Sequence, residues 1–416
     1  MKLRGNFVGK TRRGQKIPMK NKPIHIAFSG GVTGGHLFPG LAVAQRLARR
    51  MPRARITFVG GGRAFERRHV SAAGFEYMAL PCRPIPRRIH HLPGFLVQNL
   101  AGYLAARRFV RDEAVSLVVG LGGYASVPLA RAAGNQKGKA KLLLIEQNTL
   151  PGRANRWLAR RADAVCVAFD ATASNLPSRC ATHVTGTPIR EKQAAGMLFP
   201  EPCTVGAGCA GCEDSLSLGF DPPHNEFSQS EYAQPTTKRL AVLGGSAGAK
   251  AINENVPRAL YKVRDRLDGW EIVHQTGETH LESTRVLYRK LGIEATVMPF
   301  IADVPELLDQ SDLTICRGGG STLAEVAAAG TPAVILPYPH AADDHQRKNA
   351  ELFQKSGGCL LLDERELGGR LDDHLAESLD GLLQNDARRQ RISQTVRRLG
   401  RPEAAETVVD LIAELL

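Results

Sequence analysis

The chain has 416 residues, of which 43% are hydrophobic and 23% charged. That balance buries real cores and excludes a disordered or fibrous protein, and at roughly 100–200 residues per domain the length suggests two domains. Fifty-five Lys+Arg against 41 Asp+Glu give a net charge of +14, which suits nucleic acid, an anionic membrane or a phosphorylated substrate without choosing among them.

Residues 1–22 hold eight Lys/Arg and no acid, more than half of the excess charge, and read as a basic disordered tail. No apolar run follows to make a secretory signal. Short apolar strands are then expected at Ile24–Phe28, Arg55–Val59, Tyr77–Leu80, Leu117–Val119, Leu142–Ile145 and Ala164–Ala168, with helical patterns between most of them. The charge-free stretch Ala114–Ala130 is too short to span a bilayer and carries Gly120, Gly122, Gly123 and Pro128, so it reads as a buried strand entering a loop. From 191 to 237 the alternation stops in a Gly-, Pro-, Ser- and Glu-rich linker or insertion. It resumes with strands expected at Arg239–Leu243, Glu271–His274, Thr296–Phe300, Leu313–Cys316, Ala333–Leu336 and Cys359–Leu362, and ends in an apolar-striped helix over 403–416. Cys166, Cys316 and Cys359 sit inside apolar strands, as in a protein of the reduced cytoplasm.

Strands alternating with helices predict parallel sheets covered on both faces. Each half opens with a strand, a glycine turn and a helix: Ser29–Gly35 in the first, Gly244–Gly248 in the second. The expected architecture is therefore α/β, with two doubly wound parallel-sheet domains facing across a cleft. The expected boundaries are 23–190 and 238–400, with a helix over 401–416 packing back toward the first domain.

Several stretches carry chemistry. In Gly30–His36, glycines allow a close ligand approach, and the helix N-terminus offers free N–H groups and partial positive charge. His36 falls in the first helical turn, where a lowered pKa keeps imidazole neutral and able to accept a proton. The plainer alternative is a glycine turn capped by Thr33. Gly244–Gly248 repeats the arrangement, with Ser246 able to meet a phosphate. Arg317-Gly-Gly-Gly-Ser-Thr-Leu-Ala-Glu325 makes a third anion cradle, with Glu325 one turn into its helix and suited to a ribose diol. A capping role for Ser321 or Thr322 is compatible with that. Glu146-Gln147-Asn148 ends a buried strand. Asp344, His345 and Gln346 follow the Ala333–Leu336 strand and fit sugar hydroxyls better than metal. Cys203, Cys209 and Cys212 hint at zinc, but no fourth ligand stands at familiar spacing. From Arg83 to Arg111, arginines that include Arg87 and Arg88 flank Ile89, Leu92, Phe95, Leu96, Leu100, Tyr103 and Leu104 at helical spacing. That pattern fits a helix packed on the sheet, or one docking on an anionic membrane.

Taken together these stretches resemble one family, the MurG glycosyltransferases of glycosyltransferase family 28. The resemblance rests on Thr33-Gly34-Gly35-His36 with Phe38–Ala42, Gly122-Gly123-Tyr124, Glu146-Gln147-Asn148, Gly186 with Pro188-Ile189-Arg190, Gly244-Gly245-Ser246, Phe300-Ile301, Arg317–Glu325, and Asp344-His345-Gln346 with Asn349. It implies a GT-B fold and an inverting transfer of GlcNAc from UDP-GlcNAc to the MurNAc C4 hydroxyl of undecaprenyl-pyrophosphoryl-MurNAc-pentapeptide (lipid I), giving lipid II and UDP without a cofactor or essential metal. It places His36 as general base. It places Thr33, Gly34, Gly35, Asn148, Arg190, Ser246, Ile301, Gly320, Ser321, Thr322, Glu325 and Gln346 on UDP-sugar-binding positions. Arg87, Arg88, Ile89, Leu92, Phe95 and Leu96 fall where the family docks on the cytoplasmic side of the inner membrane, beside other cell-wall synthesis or division proteins. Val32, Ile145 and Thr187 depart from the family pattern, and Val32 would be strained if its position needed a positive φ.

Two competing readings remain at this level. One is a related GT-B enzyme, either a lipid glycosyltransferase with another acceptor or a UDP-sugar epimerase. The other is a basic nucleic-acid-binding protein. No nucleic acid is expected, because charge gathers in the tail and beside the apolar stretch, and no aromatic stacking platform is evident.

Overall fold

The computed structural model describes residues 24–86, 88–134, 140–191, 237–245 and 248–416. The basic tail, Arg87, most of the 191–237 segment with its three cysteines, and Ser246 lie outside the described residues. Two wholly parallel sheets form the frame. The first holds β1 (His25–Ser29), β2 (Arg55–Gly60), β3 (Glu76–Ala79), β4 (Leu117–Gly120), β5 (Lys141–Glu146), β6 (Ala164–Val167) and β7 (Thr182–Val184), in the order β3-β2-β1-β4-β5-β6-β7. The second holds β8 (Lys238–Leu243), β9 (Trp270–Gln275), β10 (Thr296–Met298), β11 (Leu313–Cys316), β12 (Ala333–Ile335) and β13 (Cys359–Leu361), in the order β10-β9-β8-β11-β12-β13. The same winding is thus used twice, and in each sheet the order reverses beside the first strand, where such folds bind ligands at the strands' carboxyl ends.

The central strands are apolar on both faces, so they can lie only between helices. Phe28 pairs with Phe58 on one side and with Val119 on the other, and the two phenyl rings stack at 4.9 Å. The helix Gly34–Arg50 buries Leu37, Leu41, Ala44 and Leu47, the three-to-four spacing of one helical face. The last helix, Ala404–Leu415, comes after the second lobe in sequence. Yet Ala405, Val408, Val409 and Ile412 join the core of the first lobe, with Ile26, Phe28 and Leu37.

Expected strands and observed strands agree to within two residues at their ends. The sequence reading lacks β7, a three-residue edge strand with half-buried Thr182, His183 and Val184, too short and mixed to stand out from a loop. The first helix begins at Gly34, which puts His36 in its first turn. Val32 carries no positive φ; the turn's left-handed positions fall on Gly30 and Gly31, both at +110°, so the β-branched side chain is unstrained.

Candidate active site between the lobes

The bend after β1 presses against the loop after β4. A Cβ at Gly30 would lie 2.7 Å from the Gly122 carbonyl oxygen, so only glycine allows this approach. Thr33 is the N-cap residue, but its hydroxyl makes no capping bond. It meets His36 Nδ1 instead, at 2.9 Å. The imidazole is half-buried beside Gly122. Loss of solvent, with His345 of the other lobe nearby, lowers its pKa to about 4. His36 is thus held neutral by desolvation and oriented by Thr33.

The second lobe answers with the helix Gly320–Ala329, whose first turn meets the first lobe. A Cβ at Gly320 would fall 2.2 Å from the Gln147 carbonyl oxygen, and one at Gly35 would lie 3.4 Å from Ser321 Oγ. Two glycine bends, one per lobe, therefore face each other across a narrow gap. Thr322 stands in the same first turn. Glu325, 7% exposed, accepts a hydrogen bond from Arg190 Nε at 3.0 Å. Arg190 also donates to the Ala302 carbonyl at 3.0 Å, and its guanidinium lies 4.5 Å from the centroid of the Phe38 ring. Arg190 thus links the Glu325 carboxylate to Phe38 of the first helix, while Gly35, next to His36, lies against Ser321 of the facing helix start.

The strand end Glu146-Gln147-Asn148 forms the floor. Glu146 is buried and accepts from Asn148 N (3.1 Å), Asn148 Nδ2 (3.0 Å), Gly152 N (2.9 Å) and Asn155 Nδ2 (2.9 Å). Burial raises its pKa in spite of these four bonds. Asn148 Oδ1 in turn accepts from Asn349 Nδ2 at 3.1 Å, and the same amide group donates to the Gly318 carbonyl at 3.0 Å. Thr149 N donates to Asn349 Oδ1 at 2.8 Å. Asn148 is therefore as much a clasp between lobes as a free ligand contact.

Other expected site residues are partly engaged by the protein itself. Ile301 packs in the core of the second lobe, and its N–H donates to Gln275 Oε1 at 3.1 Å. Gln346 Oε1 accepts from Tyr338 N at 2.9 Å. Asp344 pairs with Arg365, and its neighbour Asp343 pairs across the lobes with Arg153 and Arg156. Both aspartates have left-handed backbone, φ 57° and 52°, the kind of local strain that clusters at ligand loops. Among the described residues no group of three His, Cys, Asp or Glu gathers as metal ligands would. The sequence reading missed Asn155, which is buried and joins Glu146 to the Ile145 carbonyl beside Gly122. An amide one turn after a glycine-opened helix start was its only trace.

Two family models match the chain: the glycosyltransferase family 28 N-terminal domain over residues 26–167 and the C-terminal domain over 239–408. A protein of Trichlorobacter lovleyi named UDP-N-acetylglucosamine–N-acetylmuramyl-(pentapeptide) pyrophosphoryl-undecaprenol N-acetylglucosamine transferase is 36% identical over 94% of this chain and 98% of its own. The chain belongs to glycosyltransferase family 28. A like-named protein of Geobacter sulfurreducens is 33% identical over 93% and 97% of the two chains. Among solved structures, Acinetobacter baumannii MurG is similar with a TM-score of 0.67 and 28% identity, over 94% of this chain and all of that one. A putative UDP-N-acetylglucosamine 2-epimerase from Listeria monocytogenes shares the fold (TM-score 0.59) at only 14% identity, over 95% and 96% of the two chains. The two-lobed parallel frame is thus the GT-B fold of this family.

In this family-28 chain the helix Leu92–Asp112 rides on the first lobe through Gly102, Ala106 and Val110. Tyr103, Ala105 and Phe109 also pack against the core of that lobe, while other apolar side chains of this segment face outward. Ile89 is 87% exposed, Leu96 57% and Leu100 58%, with Ile85, Leu92, Val97 and Leu104 also exposed. Phe95 is half-buried, and Arg88 stands at the helix approach. Among the described residues no helix is long and apolar enough to cross a membrane.

Proposed function

We propose that the protein is an inverting glycosyltransferase that moves GlcNAc from UDP-GlcNAc to the MurNAc C4 hydroxyl of lipid I, giving lipid II and UDP. The relatives' names point to this donor and acceptor. The observation that carries the reading is that Gly35, next to His36 in one lobe, lies against Ser321 in the Gly320–Glu325 helix start of the other, with Arg190 linking Glu325 to Phe38.

In this mechanism His36 Nδ1–H donates to Thr33 Oγ1, which leaves the Nε2 lone pair for the acceptor. As the C4 oxygen attacks the anomeric carbon from the face opposite the nucleotide, Nε2 takes its proton. The bond to the UDP oxygen breaks, and the electron pair leaves with UDP. Free N–H groups of the Gly320–Thr322 turn and the partial positive charge of that helix stabilise the departing diphosphate. Ser246, at the corresponding bend of β8, is assigned to the same diphosphate. Glu325 accepts from the ribose hydroxyls. Arg190, now on Glu325, swings with the nucleotide, and Asn148, Gln346 and the Ile301 backbone frame the remaining edges. The Gly31–Gly35 bend faces the diphosphate of the acceptor. Residues 23–190 would act as the acceptor lobe and 238–400 as the donor lobe.

The apolar face of Leu92–Asp112 seats the first lobe on the cytoplasmic side of the inner membrane, where the acceptor's lipid is held. About seven exposed apolar side chains ringed by arginines match an interfacial helix rather than a spanning one.

The test is transfer of radiolabel from UDP-GlcNAc to a short-chain lipid I analogue, with and without chelator. Labelled disaccharide-lipid at equal rates in both is the expected result. Loss of UDP-GlcNAc without an acceptor, with an epimer as product, would replace this reading by an epimerase.

A further inference from the structure

A diphosphate lies between the sugar and the lipid of the proposed acceptor. A cation is therefore needed between His36 and the apolar helix, and the structure offers one that no expected site includes. Arg63 follows the bend after β2. Its guanidinium donates to Tyr124 Oη at 3.4 Å. Among the described residues it makes no ion pair, unlike the arginines of β2 and of the first helix, which pair with Glu76 and Glu113 or with Glu191 and Asp410. Arg63 also precedes the helix Ala64–Ala72, the unfavourable end for a cation.

Arg63 is exposed, with Tyr124 beside its guanidinium. Glu66 is fully buried, and its carboxylate accepts from two backbone N–H groups and one hydroxyl: Gly61 N (3.3 Å), Arg63 N (3.0 Å) and Tyr77 Oη (2.7 Å). Glu66 thus shapes the bend without pairing the guanidinium. Tyr124 follows the Gly122-Gly123 bend that touches His36. On the other side, a Cβ at Gly61 would lie 3.4 Å from Cys82 Sγ. Asn99 of the apolar helix holds the Arg83 carbonyl at 3.2 Å. Contacts and chain neighbours thus link His36, Gly122, Tyr124, Arg63, Cys82 and Arg83 to the apolar helix.

Resting on the proposed function, we infer that Arg63, steadied by Tyr124, is a binding residue for the acceptor's diphosphate and sets the distance between the membrane-seated lipid and the sugar at His36. A guanidinium meets phosphate oxygens with two parallel N–H donors, which lysine cannot reproduce.

The test uses the full chain and two readouts. The first is direct calorimetric binding of a short prenyl diphosphate, with UDP as a control ligand, to wild type, Arg63→Ala, Arg63→Gln and Arg63→Lys. Charge-assisted hydrogen bonds of this kind predict that Ala and Gln weaken prenyl diphosphate about 10- to 100-fold, with Lys in between and UDP affinity unchanged in all. The second is steady-state transfer, in which acceptor KM rises by the same factor while donor KM stays within about twofold. Prenyl diphosphate affinity unchanged in Ala and Gln overturns the inference, whatever the transfer assay gives. So does an equal loss of UDP affinity, which would make Arg63 structural or a donor contact. Loss of binding to anionic vesicles with prenyl diphosphate affinity intact would instead make it a headgroup contact and also overturns it. If wild type binds prenyl diphosphate through Arg63 yet transfers no sugar, the assigned reaction fails and the diphosphate site stands.

Discussion

The step from the third strand to the fourth is built twice in this protein. From β10 to β11 the crossover helix is Val304–Asp309, six residues, and it buries Val304, Pro305, Leu307 and Leu308. From β3 to β4 the helix is Leu92–Asp112, 21 residues, and it buries only Gly102, Ala106 and Val110. The sheets have the same winding, so the short version is enough to close the fold. The long one carries about four extra turns, on which Leu92, Leu96, Val97, Leu100 and Leu104 stay exposed. A patch of that kind on one lobe and not on its counterpart marks an interaction face. On the proposed reading the chemistry lies elsewhere, between the lobes, and the two functions should separate under mutation.

The largest effect belongs to the cleft. His36→Ala should lower transfer by about 10²- to 10⁴-fold in detergent and on vesicles alike, with UDP-GlcNAc still bound; a variant that turns over normally removes the base. Next comes the crossover. Leu96→Glu with Leu100→Glu should cut vesicle binding by about 100-fold, from roughly 1.5 kcal/mol or more per buried leucine. Activity on a soluble short-chain acceptor should stay unchanged, and sedimentation with anionic vesicles reads the loss. Equal losses in both assays would erase the distinction between the two faces. Glu325→Gln should follow, with donor KM raised about 10-fold by loss of a charged acceptor and acceptor KM little altered, as initial rates would reveal. The smallest effect is a near-absence of one. With the His36 pKa lowered to about 4, the base loses its lone pair only below that pH. Titration of His36 should therefore leave kcat almost flat from pH 8 to 6, whereas an ordinary imidazole would lose about fourfold at pH 6.

Stability should respond to acid through another histidine. His274 is fully buried in the second lobe between Tyr288 Oη (3.0 Å) and Asn253 Oδ1 (3.1 Å), and burial lowers its pKa to about 3. The unfolded chain takes up this proton below about pH 6.5 and the folded one does not. That term therefore falls by about 1.4 kcal/mol per pH unit from there down toward 3. Denaturant midpoints across that window check the slope against a His274→Gln variant.

Much of this was readable before any coordinates. Buried parallel strands announce themselves as unbroken apolar runs, and glycine turns before helices mark phosphate-facing bends. β7 escaped because three half-buried residues at a sheet edge carry no period. Arg190 with Glu325, and Asn148 with Asn349, are pairs separated by 135 and 201 residues, and no local pattern foretells a partner at that distance. Arg63 and Asn155 looked like ordinary helix-start residues until the β4 loop came beside them. The apolar stripe after Arg88 was evident, but whether it faced the sheet or solvent depended on how far Gly102 lets the helix settle onto Pro81, where a Cβ would fall 1.9 Å from the carbonyl oxygen.

Arg46 salt-bridges both Glu191, the last described residue before the second lobe, and Glu406 of the final helix, at 3.4 and 2.7 Å. The polypeptide thus departs from the first lobe beside the place where it returns. The final helix, its apolar face in the core of the first lobe, tethers the donor lobe near that point, which favours swivelling about it over sliding away bodily. Nucleotide exchange would then proceed by a jaw-like swing, with the widest travel farthest from Arg46. Fluorescent labels placed near the anchor and at the far rim should register unequal displacements when UDP is added.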